Sequence, residues 1–284
     1  MKIGLVLEGG AMRGIYSAGV LDTFMDEGIS FDGIMGVSAG ALFGVNILSN
    51  QKGRVLRYNK KFNADPNYMG LRPLLSEGNI VNTEYAYVRV PRELDVFDDE
   101  TFKNSNIPFY SVVTNVKTGK AEYILMKSIF DQMDTLRASG SMPFLSKPVR
   151  IGNEDYLDGA IADSIPFQKM LDMGYDKLVV VLTKWDGYVK KPMSKPLTNV
   201  FYRKKYPKLA DAIIYRHEMY NAQMEALRKL ESEGKIFVIQ PSKYLKMGRI
   251  EKDSENIQNM YNLGTGDARN KMKALKSFLN KAQE

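Results

Sequence analysis

Ser38 lies in the run Gly36-Val37-Ser38-Ala39-Gly40, between a short apolar stretch and a segment with helical apolar spacing. Gly-x-Ser-x-Gly at a strand-to-helix junction is the pattern of a nucleophile elbow, a tight turn that exposes a serine hydroxyl. The flanking Gly36 and Gly40 permit the close packing and unusual dihedrals of such a turn. A serine there also stands at a helix N-terminus, where free N–H groups and the helix dipole favour developing negative charge. The chemistry implied is nucleophilic attack on an acyl carbonyl. Such a serine needs a base, and the usual one is histidine. This chain has one histidine, His217, and no cysteine.

A second motif is the glycine-rich loop Gly9-Gly10-Ala11-Met12-Arg13-Gly14. Its backbone N–H groups suit a phosphate or an oxyanion. There is no Gly-Lys-Ser/Thr, which excludes a P-loop. Gly9-x-Ala11-x-x-Gly14 is an imperfect dinucleotide fingerprint, because Ala11 replaces the second glycine. An oxyanion loop beside Ser38 accounts for both motifs together.

Two residues compete for the role of base. The order Ser38, Asp158, His217 formally matches a hydrolase triad. But His217 falls in the middle of an expected helix, at the margin of the stripe Leu209, Ile213, Tyr220, Met224 and Leu227. Triad histidines usually ride on loops that reach the nucleophile. Asp158-Gly159-Ala160, after a short strand, offers a carboxylate that can serve where water is excluded.

The elements that must position these residues follow from the pattern. Strands are expected over residues 2–8, 32–37, 107–116, 120–126, 177–183 and 235–240, with a further short strand before Asp158. Helices are expected over 15–27, 39–48, 53–63, 128–139, 166–173, 207–230 and 266–282. Residues 64–82 and 140–153 read as irregular, and 184–198 as a basic connector. The opening strand–loop–helix–strand–turn–helix is that of an open α/β sheet.

The length of 284 residues allows one substantial α/β core. We expect a single domain over 1–284, with the basic third, about 184–284, completing or capping it. That third holds 21 Lys/Arg against 11 Asp/Glu. It is expected to be mainly a solvated surface, with transient contact to an anionic membrane left open. No nucleic-acid partner, metal or other cofactor is expected. The N-terminus does not read as a secretory signal, and no apolar run has the length of a membrane span. The expected location is cytoplasmic.

Taken together, Glu8–Gly14, Gly36–Gly40 and Asp158-Gly159-Ala160 resemble the three ordered motifs of the patatin-like phospholipase family, in its bacterial members. The approach Ala138-Ser139-Gly140-Ser141-Met142-Pro143 is similar as well. The likeness covers about residues 1–183. It implies a three-layer α/β/α fold with a central, mostly parallel sheet. It also implies hydrolysis of lipid acyl esters by a Ser–Asp dyad. Ser38 would be the nucleophile and Asp158 the general base. Gly9, Gly10, Ala11 and Met12 would form the oxyanion hole, with Arg13, Gly14, Gly36, Gly40 and Gly159 in support. Ala11 departs from the family's usual glycine. Acyl transfer or thioester hydrolysis at the same site, and a non-catalytic lipid-binding role, are the competing readings. Residues 64–82 and 184–208 are candidate lid or membrane-contact segments.

Overall fold

The computed structural model of the protein describes residues 1–280. Its centre is an eight-stranded sheet: β1 (Ile3–Leu7), β2 (Gly33–Val37), β3 (Phe109–Asn115), β4 (Ala121–Met126), β5 (Val149–Ile151), β6 (Glu154–Asp158), β7 (Lys177–Val181) and β8 (Ile236–Ile239). The spatial order is β5-β6-β3-β2-β1-β7-β8, and β4 also pairs with β3. β8, β7, β1, β2 and β3 run parallel to one another, while β4, β5 and β6 join by antiparallel pairing.

The parallel strands are apolar on both faces, as burial between two helical layers requires. Leu5, Leu7, Val179 and Val181 pack with Phe24, Met260 and Leu275 of the helices Ile15–Asp26 and Ser254–Asn280. Val6, Leu178 and Val180 face the other way, onto Met170 of the helix Phe167–Asp172 and Tyr220 and Leu227 of the long helix Pro207–Ser232. The result is a three-layer α/β/α architecture with a mostly parallel sheet.

The register of β3 determines where the site forms. Val113 and Thr114 pair with both β4 and β6, so β6 must share the β3 edge used by β2. β2 ends with Val37 opposite Val112, and β6 ends with Asp158 opposite Val113. Because β6 is antiparallel to β3, the two strand ends meet head to head. Ser38 follows one end and Asp158 closes the other.

Several expectations are corrected. Residues 64–82 carry the helix Leu71–Glu77, ended by Gly78 in a left-handed conformation; Pro73 sits in its first turn, where a proline costs no hydrogen bond. The expected helix 128–139 begins only at Met133, because Asp99 accepts from the Ser128 hydroxyl and the Ile129 N–H and holds that turn. Residues 140–153 contain β5. Tyr85–Leu94 forms a π-type helix and Asp99–Lys103 a short α-helix, neither of which the pattern announced. The connector 184–198 ends in a helical turn, Lys195–Thr198. The last helix begins at Ser254, well before residue 266. It runs through Gly264 because a side chain there would lie 2.1 Å from the Tyr16 carbonyl oxygen, so the glycine allows the two helices to touch. Residues 281–282 of the expected terminal helix lie outside the described residues.

Candidate active site

Ser38 occupies the turn between β2 and the helix Ala39–Leu48, with φ 55° and ψ −124°. A positive φ in a residue with a side chain is strained by about 1–3 kcal/mol, and such strain gathers at functional turns. The turn is held from several sides. The Ser38 carbonyl accepts from the N–H groups of Ala41 and Leu42. Its own N–H donates to Ser139 Oγ at 2.9 Å, and that hydroxyl donates onward to the Val112 carbonyl at 2.7 Å. Gly40 has no room for a side chain, since a Cβ there would lie 2.3 Å from the Leu7 carbonyl oxygen. Gly36 is crowded by the Gly40 carbonyl, and Gly14 by Ala39, so these glycines seat the elbow against its neighbours.

The Ser38 hydroxyl donates to Asp158 Oδ2 at 2.8 Å. The other carboxylate oxygen, Oδ1, accepts from the Ala160 N–H at 2.9 Å. Gly159 lies against the Val112 carbonyl, where a Cβ would come within 2.2 Å, so the turn after Asp158 can press onto β3. Burial pushes the Asp158 carboxyl above its ordinary range, against the pull of Arg216 and the two hydrogen bonds. A raised carboxylate is a stronger proton acceptor than one in water.

The glycine loop lies beside Ser38. A Cβ on Gly9 would sit 2.7 Å from the Ser38 Cβ. Residues Ala11–Gly14 form a 3₁₀ turn rather than the open loop expected. Among the described residues, the N–H groups of Gly9 and Gly10 donate to no protein acceptor. Ala11 adopts φ 50°, a conformation suited to glycine, so its methyl is carried at some strain. Met12 is buried with Asn63 on its sulfur, and Arg13 points to the opposite side.

Two cavities converge on Ser38. One is apolar, about 980 Å³ of empty space including its mouth, and Leu42, Tyr58, Tyr68, Met69, Val90 and Leu136 are among the residues lining it. The other is polar, about 680 Å³ on the same measure, and contains Asp158 and the loop residues Gly9 to Ala11. Thus the segment Tyr68–Leu75 divides: Tyr68 and Met69 line the apolar cavity, whereas Leu71 and Leu75 face outward, 74% and 85% exposed.

His217 lines neither cavity. Its Nδ1 is 3.0 Å from the Ile214 carbonyl oxygen, within its own helix, and its Nε2 is 3.8 Å from Glu218. Glu8 closes the base of the site. It accepts from the Thr183 N–H, the Thr183 hydroxyl and the Tyr220 hydroxyl, tying β1 to β7 and the long helix. The anchor Ser139 and the clamp formed by Glu8, Thr183 and Tyr220 were not assigned roles from the sequence. The spacing of Arg216 and Tyr220, four apart on one helix, was the available signal that both point the same way.

A family model for patatin-like phospholipase matches residues 5–171, and a model for a domain of unknown function (DUF6363) matches residues 206–280. The chain belongs to the patatin-like phospholipase family. It is 26% identical over 275 residues to the uncharacterized protein YjjU of Escherichia coli K12, spanning 93% of this chain and 75% of that protein. It is 28% identical over 182 residues to lysophospholipase nte1 of Aspergillus niger, spanning 63% of this chain and 12% of that protein. Neuropathy target esterase sws of Drosophila melanogaster is 26% identical over 189 residues, 63% of this chain and 13% of that protein. Among solved structures, VipD from Legionella pneumophila is a distant likeness, 14% identical with a TM-score of 0.48 over 98% of this chain and 67% of that one.

Proposed function

We propose that the protein is a serine lipid acyl hydrolase in which Ser38 and Asp158 act as a dyad. Asp158 takes the hydroxyl proton as Ser38 Oγ bonds to the ester carbonyl carbon. The carbonyl π electrons move to oxygen, and the oxyanion is met by N–H groups of the Gly9–Met12 loop. Collapse expels the alcohol, which leaves with the proton held by Asp158, and the acyl group remains on Ser38. Water, deprotonated by Asp158, then attacks the acyl-serine and releases the fatty acid. The observation that carries this reading is the 2.8 Å bond from Ser38 to a buried, shifted Asp158, made where an apolar cavity opens.

The apolar cavity suits the acyl chain, and the polar pocket suits the leaving alcohol. The names of the lysophospholipase and esterase relatives support an ester of lipid type. Residues 184–249 are taken as part of the same unit, because Lys184, Lys190, Arg216 and Arg249 line the polar pocket. Exposed Leu71 and Leu75, four apart on one short helix next to the cavity-lining Tyr68 and Met69, suit a transient contact with a lipid surface. No helix among the described residues is long and apolar enough to cross a membrane.

The direct test is fatty-acid release from a lysophospholipid and from a chromogenic acyl ester. Wild type should release acid from both, and Ser38→Ala should release none. Transfer of the acyl group to added glycerol in preference to water would replace hydrolysis by acyl transfer. Full activity in Ser38→Ala would remove the proposal.

A further inference from the structure

The polar pocket beside Ser38 is more cationic than ester hydrolysis requires. Arg13 from the 3₁₀ turn, Lys184 and Lys190 from the connector after β7, Arg216 from the long helix and Arg249 from the loop before the last helix all line it. Only two carboxylates share the space, and both are already engaged. Glu8 accepts three hydrogen bonds from Thr183 and Tyr220, and Asp158 holds Ser38 and the Ala160 N–H. Among the described residues, none of the five cations forms an ion pair with a carboxylate. The buried Arg13 Nε has no hydrogen-bond partner, and Arg216 Nε has one long bond, 3.5 Å to Ser164 Oγ.

The two lysines among them are held in place. Asn221 of the long helix exchanges two hydrogen bonds with the backbone of Lys190, at 2.9 and 3.2 Å. The Lys190 ammonium lies 4.9 Å from the Tyr220 ring, and that of Lys184 lies 4.5 Å from the Tyr188 ring. Tyr220 is itself fixed on Glu8. Burial, then repulsion by neighbouring cations, pushes Lys184 down to about 8 and Lys190 down to about 7. A fixed group of cations that repel one another gains from an anion that enters among them.

We propose that this pocket, four of whose five cations come from residues after 183, binds a phosphate monoester carried next to the scissile ester, so that the substrate is an acyl ester with a dianionic head group. The inference rests on the hydrolase reading above. Three guanidinium forks and two ammonium groups around one space fit the several oxygens of a phosphate better than the two of a carboxylate. The excess of cations over carboxylates favours a dianionic monoester over a singly charged phosphodiester. The pocket and the apolar cavity share Ala11, Ser38, Met142 and Arg249 in their walls, so one molecule can enter both with its ester at the serine.

The test uses three substrates with the same acyl chain, supplied as monomers: a monoacylglycerol, a lysophosphatidylcholine and a lysophosphatidic acid. Wild type should show kcat/KM at least tenfold higher for the phosphate monoester than for the monoacylglycerol. Lys190→Gln and Arg216→Gln should each lower that ratio at least tenfold, and Lys190→Arg should restore most of it. Equal kcat/KM on all three substrates, or a ratio unmoved by both variants, would overturn the proposal. So would inorganic phosphate that modulates monoacylglycerol hydrolysis with no preference for the phosphorylated lipid, since the pocket would then serve free phosphate. Calorimetric titration of glycerol 3-phosphate into Ser38→Ala reads the pocket independently of catalysis. Binding that weakens at least tenfold on adding Lys190→Gln supports the site, and absence of binding overturns it even if esters are hydrolysed.

Discussion

Removing the Ser139 hydroxyl should damage both stability and reactivity. Ser139 is fully buried, and its oxygen bridges the Ser38 N–H and the Val112 carbonyl. In Ser139→Ala both backbone groups lose their partner where water does not easily replace it. Each unsatisfied buried group costs about 1–3 kcal/mol, which gives roughly 2–6 kcal/mol for the pair. With an unfolding entropy near 2.1 cal/mol/K per residue, that loss lowers Tm by roughly 3–10 °C in a chain of this size. The elbow also loses the tether that holds Ser38 at φ 55°. A displacement of about 1 Å at a reacting atom costs on the order of 100-fold in rate. The variant should therefore react with a fluorophosphonate roughly 10- to 100-fold more slowly than wild type. Calorimetry gives the first quantity and a labelling time course the second. A Tm within 1 °C of wild type together with an unchanged labelling rate would refute the anchoring role.

Four other consequences can be checked. Gly40→Ala places a methyl 2.3 Å from the Leu7 carbonyl oxygen, so it should fold poorly or lose more than about 3 kcal/mol in denaturant unfolding. Asp158 must be ionised to act as base and its pKa is raised by burial, so kcat/KM should fall with acidity at a pH above the ordinary carboxylate range. The charged groups that hold that limb down are Arg216 and Lys190, so Lys190→Gln should move it further up, and a limb that does not move would count against this electrostatic account. Val81→Phe narrows the apolar cavity and should shift preference to shorter acyl chains by several-fold in kcat/KM; an unchanged chain-length profile would place the acyl group elsewhere. Leu71→Asp with Leu75→Asp should weaken hydrolysis on vesicles much more than on a water-soluble ester, and equal losses on both would remove the lipid-contact role of that helix.

What was legible in the sequence followed local rules. The elbow at Ser38, the helix Ala39–Leu48 and the apolar strands β1, β2 and β7 each announce themselves by composition and period over a few residues. The three motifs around Ser38, Asp158 and Gly9–Met12 were legible as a set, and the structure brings them together around Ser38. What was not legible depends on distant contacts. The terminal helix was expected only from residue 266, yet it starts at Ser254 and runs through Gly264, which packs on the Tyr16 backbone. Residues 128–132 have helical composition but are held as a turn by Asp99, about thirty residues earlier. Lys190 lies in the stretch read as a basic connector, and only the fold turns it inward toward Tyr220 while Lys191 and Lys195 remain exposed. The same limit hid the cationic pocket, whose cations come from four separate stretches of chain.

The central claim is that Asp158, and not His217, activates Ser38. It is tested most directly by measuring, in one experiment, the rate at which a fluorophosphonate adds its mass to Ser38 in wild type, Asp158→Asn and His217→Ala, each shown to be folded by circular dichroism. The account predicts prompt labelling of Ser38 in wild type and His217→Ala, and a rate lower by at least 100-fold in Asp158→Asn. Prompt labelling in Asp158→Asn with loss of labelling in His217→Ala would contradict it.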